Sequence, residues 1–162
     1  MSSMDTLAFG EVRDQVDCFE LFSRVRAEEL GMQAWDPQLR DQMLRLQYEA
    51  QRRGYLAQFP ASDTRLILRG GEPIGWLIVD RSGAMLHCVD IAVVPEARNQ
   101  GVATWVWRTL QAEASATARP LVLTVLRTNV RARALYVRLK FRVVGETVAH
   151  VLMEWRPEGA DR

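Results

Sequence analysis

The sequence predicts a mixed α/β fold in which a helix carries the chain from one strand to a neighbouring parallel strand. Three observations lead there. First, the apolar run Val89–Val94, with Asp90 inside it, is stopped by Pro95, and a polar turn, Glu96–Gln100, follows. Second, beyond Gly101 the residues Val102, Val106, Leu110 and Ala114 recur at steps of four, the period of one helix face, and Arg119-Pro120 ends them before a new apolar strand, Leu121–Leu126. A strand, a helix and a strand in that succession form a crossover unit. Third, Thr64–Leu68 and Pro73–Asp80 are β-rich runs around Arg69-Gly70-Gly71-Glu72, a hairpin signal.

The remaining elements follow in order. Thr6–Val12 alternates weakly and is expected to form a first strand. Asp14 or Asp17 can cap a helix that runs to about Leu30, with Cys18, Phe22 and Val25 on its inner face and Gly31 as its stop. Asp36-Pro37 suits the start of a second helix. Its expected apolar stripe is Leu39, Met43, Leu46 and Ala50, and Gly54 with Pro60 is expected to end it. Asn129 can cap a later helix that places Ala132, Leu135, Tyr136 and Leu139 on one face. Phe141–Val144 and Val148–Trp155 read as two closing strands joined through Gly145-Glu146. The order is β-α-α-β-β-β-α-β-α-β-β, read as one domain over residues 1–156 with a frayed tail from Pro157 to Arg162.

Composition narrows the function classes. A 162-residue chain, 48% hydrophobic and 25% charged, can bury a sizeable core, and its net charge of +1 steers it neither to nucleic acid nor to an acidic membrane. No apolar run reaches the 18 or more residues of a membrane helix. The opening M-S-S-M-D-T-L lacks a basic segment followed by an apolar one, so a cytoplasmic location is expected. Cys18 and Cys88 lie far apart and read as free thiols. Two histidines, no H-E-x-x-H and no paired cysteines leave no metal constellation, and no G-x-S-x-G elbow is present. Of the 21 basic residues 20 are arginine, and Lys140 is the only lysine.

The loop after the Val89–Val94 strand carries the first chemical signal. The opening N–H groups of a helix have no internal partners and sit at the positive end of its dipole. Gly101 has no side chain and Ala103 only a methyl, so a phosphate can approach those groups, and Arg98 adds a cation. Neither G-x-x-x-x-G-K-[ST] nor G-x-G-x-x-G is present. The pattern is R-x-x-G-x-A, at Arg98, Gly101 and Ala103, behind I-A-V-V-P. It resembles the acetyl-CoA-binding motif of the GNAT family of N-acetyltransferases. A second stretch, L-V-L-T-V-L-R-T-N-V-R-A-R-A-L-Y-V-R-L-K-F over residues 121–141, is similar to the second half of that domain, with Asn129, Ala132, Leu135-Tyr136 and Lys140-Phe141 at its characteristic positions. Lys140 departs from the family's glycine, and a left-handed helix end there would suit lysine poorly.

The resemblance implies a central mixed sheet splayed between its fourth and fifth strands and acetyl-CoA as cosubstrate, with no metal. It implies that the backbone of Ile91, Ala92 and Val93 bonds the pantetheine arm. The pyrophosphate would sit on Asn99, Gln100, Gly101, Val102, Ala103 and Thr104 with Arg98, and Asn129 would contact CoA. Tyr136 would protonate the departing thiolate. The acceptor would be a primary amine on a small molecule or peptide, attacking directly in a ternary complex, and a homodimer would be in keeping with many relatives. The residue types suit that chemistry: a Tyr hydroxyl with pKa about 10 stays protonated at neutral pH and can donate to a thiolate of pKa about 8.5. A backbone N–H fixed before reaction can stabilise the oxyanion.

An arriving ammonium must also lose a proton. Thr124 stands where some members carry a glutamate base on the fifth strand, and threonine cannot take that role. Asp90, mid-strand among apolar residues, is either a hydrogen-bonded structural group or the base. His87 has a suitable pKa, but a regular strand points it to the face opposite Asp90. Glu28 and Glu29 could form an anionic wall for the acceptor, His150 could line the same side, Trp107 belongs with the apolar face and Trp105 is open to a subunit contact. Two other readings stand beside this one: a transferase for a longer acyl-CoA, and a non-catalytic CoA-binding or interaction module that kept the cradle and lost its base.

Overall fold

Two consecutive glycines set the first hairpin. Gly70 and Gly71 have φ of 58° and 83°, the left-handed pair that a two-residue turn requires, and they join β2 (Ser62–Arg69) to β3 (Glu72–Asp80). The computed structural model describes residues 6–12 and 15–159, and of residues 15–17 the backbone alone. The other elements are β1 (Leu7–Glu11), α1 (Gln15–Glu29), α2 (Pro37–Gln58), β4 (Leu86–Val93), α3 (Val102–Ala116), β5 (Leu121–Leu126), α4 (Val130–Arg138), β6 (Arg142–Glu146) and β7 (His150–Trp155). This is the expected order, and the fold class is the expected mixed α/β. The strands are hydrogen-bonded in the order β1-β2-β3-β4-β5-β7-β6. The parallel pairing of β4 with β5 covers Leu86↔Leu121, His87↔Val122 and Cys88↔Leu123, and β4 continues to Val93. None of the described helices is long and apolar enough to cross a membrane.

The chain falls into two compact units, one of residues up to Ile78 with Asp90–Gln100, the other of Val79–Val89 with residues from Gly101 onward. The first unit packs α1 and α2 on its strands through Phe22, Val25, Leu44, Leu66, Ile67 and Leu77. The second is built on Trp107, Leu110, Leu121, Val151 and Met153, all almost wholly buried. Three aromatic rings lock α3 to α4 and to the chain that follows it: Trp107 meets Tyr136 edge-on at 5.1 Å and Phe141 at 5.4 Å between ring centres. Trp107 is thus the core residue its periodicity predicts.

Several local expectations need correction. Asp17 lies inside α1 rather than at its cap, and Asp14 lies outside the described residues. Asp36 does cap α2, accepting from the Leu39 N–H at 3.1 Å, with Pro37 in the first turn. Gly54 does not break α2, which continues to Gln58, because one exposed glycine removes only about 1 kcal/mol from a helix. The inner face of α2 is also rotated from the expected stripe. Leu39, Leu46 and Ala50 are exposed, Leu46 by 67%, while Leu44 is buried and Tyr48, Gln51 and Tyr55 turn inward below it.

The ends of α3 and α4 show how lysine replaces glycine. Lys140 adopts φ 71°, and around it the Phe141 N–H reaches the Tyr136 carbonyl while the Lys140 N–H reaches that of Val137. Ala118, at φ 50°, ends α3 with the same pair of bonds. The helix end keeps the left-handed turn and its two satisfied carbonyls, so the motif survives at a strain cost of order 1 kcal/mol.

Candidate functional site

Asp90 anchors the site, a carboxylate whose pKa burial raises, set among aromatic side chains. Its position on β4 points it into the first unit, among the aromatic residues of β3 and α2. The Trp76 indole N–H donates to its Oδ2 at 2.9 Å, and the Gln51 amide donates to the same oxygen at 3.2 Å. Gln51 also donates to the Tyr55 hydroxyl at 2.8 Å, and that hydroxyl is itself hydrogen-bonded to Asp90. Burial pushes the Asp90 carboxyl above the usual carboxylate range, with the Trp76 bond and the Arg26 charge pulling partly against it. The residue keeps part of its surface open, but protein atoms crowd it on the remaining sides. Tyr55 is pushed up to about 12 by burial first and by the Asp90 charge second, so it stays a hydrogen-bond donor at neutral pH.

These groups line a cavity of about 270 Å³ within the first unit, whose walls include Phe22, Tyr48, Tyr55 and Trp76, with Cys18, Arg52 and Asp90. Phe22 lies 5.3 Å from Tyr48 and 6.3 Å from Trp76 between ring centres, so the rings form a continuous wall. Burial also raises the Tyr48 pKa. Of these residues the sequence reading named Asp90 as a site residue and missed Gln51, Tyr48, Tyr55 and Trp76. The usable signal was the spacing of Tyr48, Gln51 and Tyr55 at i, i+3 and i+7, a polar-aromatic stripe on one face of α2.

Gly75 was also missed. A Cβ there would lie 2.2 Å from the Ala92 carbonyl oxygen, so only glycine lets β3 approach β4 this closely. The Val94 N–H bonds the Ile74 carbonyl at 2.9 Å just beyond this contact. Gly75 thereby fixes the backbone of Ile91, Ala92 and Val93.

The loop after β4 is held from inside the first unit. A 3-10 turn, Pro95–Ala97, opens it. Arg98 donates through Nε to the Val93 carbonyl at 3.0 Å and pairs with Glu28 at 2.8 Å. Asn99 takes a left-handed φ of 61°. Gln100 donates to the Glu96 carbonyl at 2.9 Å and accepts from Arg69. Arg98 is therefore a clamp on the strand end as well as a cation. Glu28 and Glu29 are each paired with an arginine, Arg98 and Arg26, which leaves them poorly suited to be an anionic wall.

In the second unit, Gly101 starts α3 at φ 79° with no side-chain cap, and the first helical bond is Trp105 N–H to the Gly101 carbonyl. The opening N–H groups at Val102, Ala103 and Thr104 are thus left for another partner, and nothing stands within 4 Å of where a Gly101 Cβ would be. That open, uncapped helix start fits a phosphate. Asn129 caps α4 through its Oδ1, which accepts from the Ala132 N–H at 3.2 Å. Tyr136 is 8% exposed, with its ring packed against both Trp107 and Phe141. His87 is half-buried, and burial lowers its pKa despite the Asp80 charge, while His150 is exposed, Thr124 is exposed on β5 and Trp105 is half-buried.

Comparison with known proteins adds an independent line. A sequence profile described as the Acetyltransferase (GNAT) family matches residues 24–141. Among solved structures, the chain is similar to the PaiA N-acetyltransferase of Thermoplasma acidophilum in complex with coenzyme A, at 11% identity and a TM-score of 0.69 over 93% of this chain and 99% of that one. It is similar to the ribosomal-protein-S18-alanine N-acetyltransferase of Escherichia coli, at 16% identity and a TM-score of 0.63 over 93% and 94%. It also resembles a GNAT family acetyltransferase of Elizabethkingia anophelis with acetyl-CoA bound, at 16% identity and a TM-score of 0.57 over 64% and 82%. At these identities the structures speak for the fold. A search of curated protein sequences returned no match.

Proposed function

The chain belongs to the acetyltransferase (GNAT) family, and from that premise we propose that it transfers an acetyl group from acetyl-CoA to a primary amine by direct attack in a ternary complex. The reading takes residues 1–156 as one acetyltransferase domain. The observation that carries it is the place of Asp90: a half-buried carboxylate on the wall of an aromatic cavity, bonded by Trp76 and Gln51 and directly followed on β4 by Ile91, Ala92 and Val93.

Each residue then has a role that its chemistry allows. Acetyl-CoA supplies an activated thioester carbonyl. The N–H groups at the start of α3, Val102 to Thr104, with Gly101 leaving room and Asn99 and Gln100 shaping the loop, bind its pyrophosphate. Arg98 holds the loop against the end of β4 and adds positive charge. The backbone of Ile91, Ala92 and Val93, set by Gly75, orients the pantetheine arm and offers an N–H to the carbonyl oxygen. Asn129 contributes a CoA contact beside its capping bond. Asp90 accepts the ammonium proton, for which a carboxyl pKa above the ordinary range is an advantage. Tyr136 returns a proton to the sulfur. Asp90 offers a candidate base although Thr124 cannot be one, which favours this reading over a module without a base.

Calorimetric titration with acetyl-CoA, CoA and a longer acyl-CoA tests the proposal, followed by thiol release on a panel of amines. Saturable binding that prefers acetyl-CoA, with turnover on at least one amine, is expected. Binding without turnover on any amine would favour the non-catalytic module, and no binding would remove the cradle. Tyr136→Phe is expected to lower kcat by about 10²-fold or more with acetyl-CoA affinity unchanged, as loss of a general acid does. Equal rates would return Tyr136 to the aromatic core.

A further inference from the structure

We infer that the acceptor is a small arylalkyl monoamine, seated in the aromatic cavity of the first unit with its amine at Asp90. This deepens the acetyl-transfer reading and rests on it for the chemistry, though the cavity and its charges stand independently.

Three properties of the cavity lead to that class. The first is size: about 270 Å³ lies just under the roughly 300–1,000 Å³ usual for small-molecule pockets, so a single compact group fills it. The second is the wall. Phe22, Tyr48, Tyr55 and Trp76 offer ring faces and edges that suit an aromatic guest and a cation close to it. The polar groups deeper in are already committed, since Gln51 donates to both Tyr55 and Asp90, and Trp76 donates to Asp90. A peptide backbone entering here would find few unpaired partners for its own N–H and C=O groups.

Charge is the third property. Among the described residues Asp90 is the one acidic side chain on the wall of this cavity, and Arg52 lies on the same wall. No carboxylate of the described residues pairs with Arg52. A second arginine, Arg26, sits 5.8 Å over the Phe22 ring outside the lining, its charge felt at Asp90 and Tyr55 but offset by its pairing with Glu29. On the cavity wall itself one anion, Asp90, and one cation, Arg52, admit one ammonium and oppose a second. A polyamine would bring its further charges against Arg52, whereas an arylalkyl monoamine meets Asp90 with its only charge and the rings with the rest.

The test uses the full chain and two readouts. Binding of 2-phenylethylamine is measured by calorimetry, with and without CoA, and thiol release from acetyl-CoA is measured with 2-phenylethylamine, spermidine and a short alanine peptide. Saturable binding of 2-phenylethylamine is expected, with kcat/KM above that of spermidine and of the peptide by on the order of 100-fold. Arg52→Glu, an exposed position, is expected to move the ratio toward spermidine by about tenfold without changing acetyl-CoA affinity. Turnover that prefers spermidine or the peptide would overturn the inference and leave acetyl transfer standing. Binding of 2-phenylethylamine without thiol release from any amine would overturn the acetyl-transfer reading and with it the amine's role as acceptor, leaving an amine-binding cavity alone. Failure of 2-phenylethylamine to bind overturns the inference outright.

Discussion

Asp90→Asn is expected to lower kcat by roughly 10²- to 10⁴-fold, the usual contribution of a positioned general base, while acetyl-CoA still binds. The replacement keeps the shape and an acceptor oxygen for Trp76 and Gln51, so the cavity should hold its form. In the parent protein kcat/KM should fall as pH drops through the Asp90 pKa, which burial places above the ordinary carboxylate value of about 3.9. That acid limb should be missing from whatever activity the variant retains. Stability should move the opposite way. A carboxyl whose folded-state pKa is raised favours folding in its protonated form; its contribution is present in full below the unfolded value and lost as pH rises through the folded one. The substituted amide would carry no charge at any pH, so the variant should melt higher than the parent at neutral pH, and the difference should vanish below about pH 4. A pH series of melting curves beside the rate profile checks both. Unchanged turnover would reassign Asp90 to a structural role, and a lower melting temperature at neutral pH would mean that its bonds outweigh its desolvation.

Gly101→Glu should abolish acetyl-CoA binding as read by calorimetry, a loss of about 10³-fold or more when charge repulsion and steric exclusion add. The Cβ direction is open, so the new side chain would occupy the space in front of the N–H groups of Val102, Ala103 and Thr104, where the phosphates are proposed to lie. It would also bring a negative charge to the end of the helix that favours anions. Backbone strain is a second effect, because φ is 79° there. Gly101→Asn separates the two: asparagine tolerates the left-handed region and carries no charge, so it should bind acetyl-CoA far better than the glutamate variant. If both variants bind like the parent, the start of α3 is not the phosphate site.

The two predictions draw on residues that were legible to different degrees. Gly101 could be read from the chain alone, since a strand, a proline stop, a polar turn and a helix period are all local features, and the need for glycine follows from where they meet. The helix ends at Ala118 and Lys140 could not, because the pattern of bonds at 114–119 and 136–141 holds non-glycine residues in a conformation that their intrinsic preference opposes. Asp90 was noticed as a charge out of place in an apolar run, yet its partners Trp76, Gln51 and Tyr55 are 14, 39 and 35 residues away, distances that periodicity does not span.

α2 shows why the site itself was hidden. A search for an apolar stripe selects Leu39, Leu46 and Ala50, but a helix that faces a cavity turns polar and aromatic side chains inward, so Tyr48, Gln51 and Tyr55 took the inner face and Leu46 the outer. The element order, the mixed α/β class, the family likeness and the glycine-bearing loop before α3 were all readable from the chain, because each is written in short-range patterns of hydrophobicity, turn residues and spacing. The neighbours of Asp90, the backbone contact that requires Gly75 and the arginine on the cavity wall emerged with the folded protein alone. Those depend on segments far apart in the chain being brought within a few ångströms, where burial and hydrogen bonding replace pattern as the controlling physics.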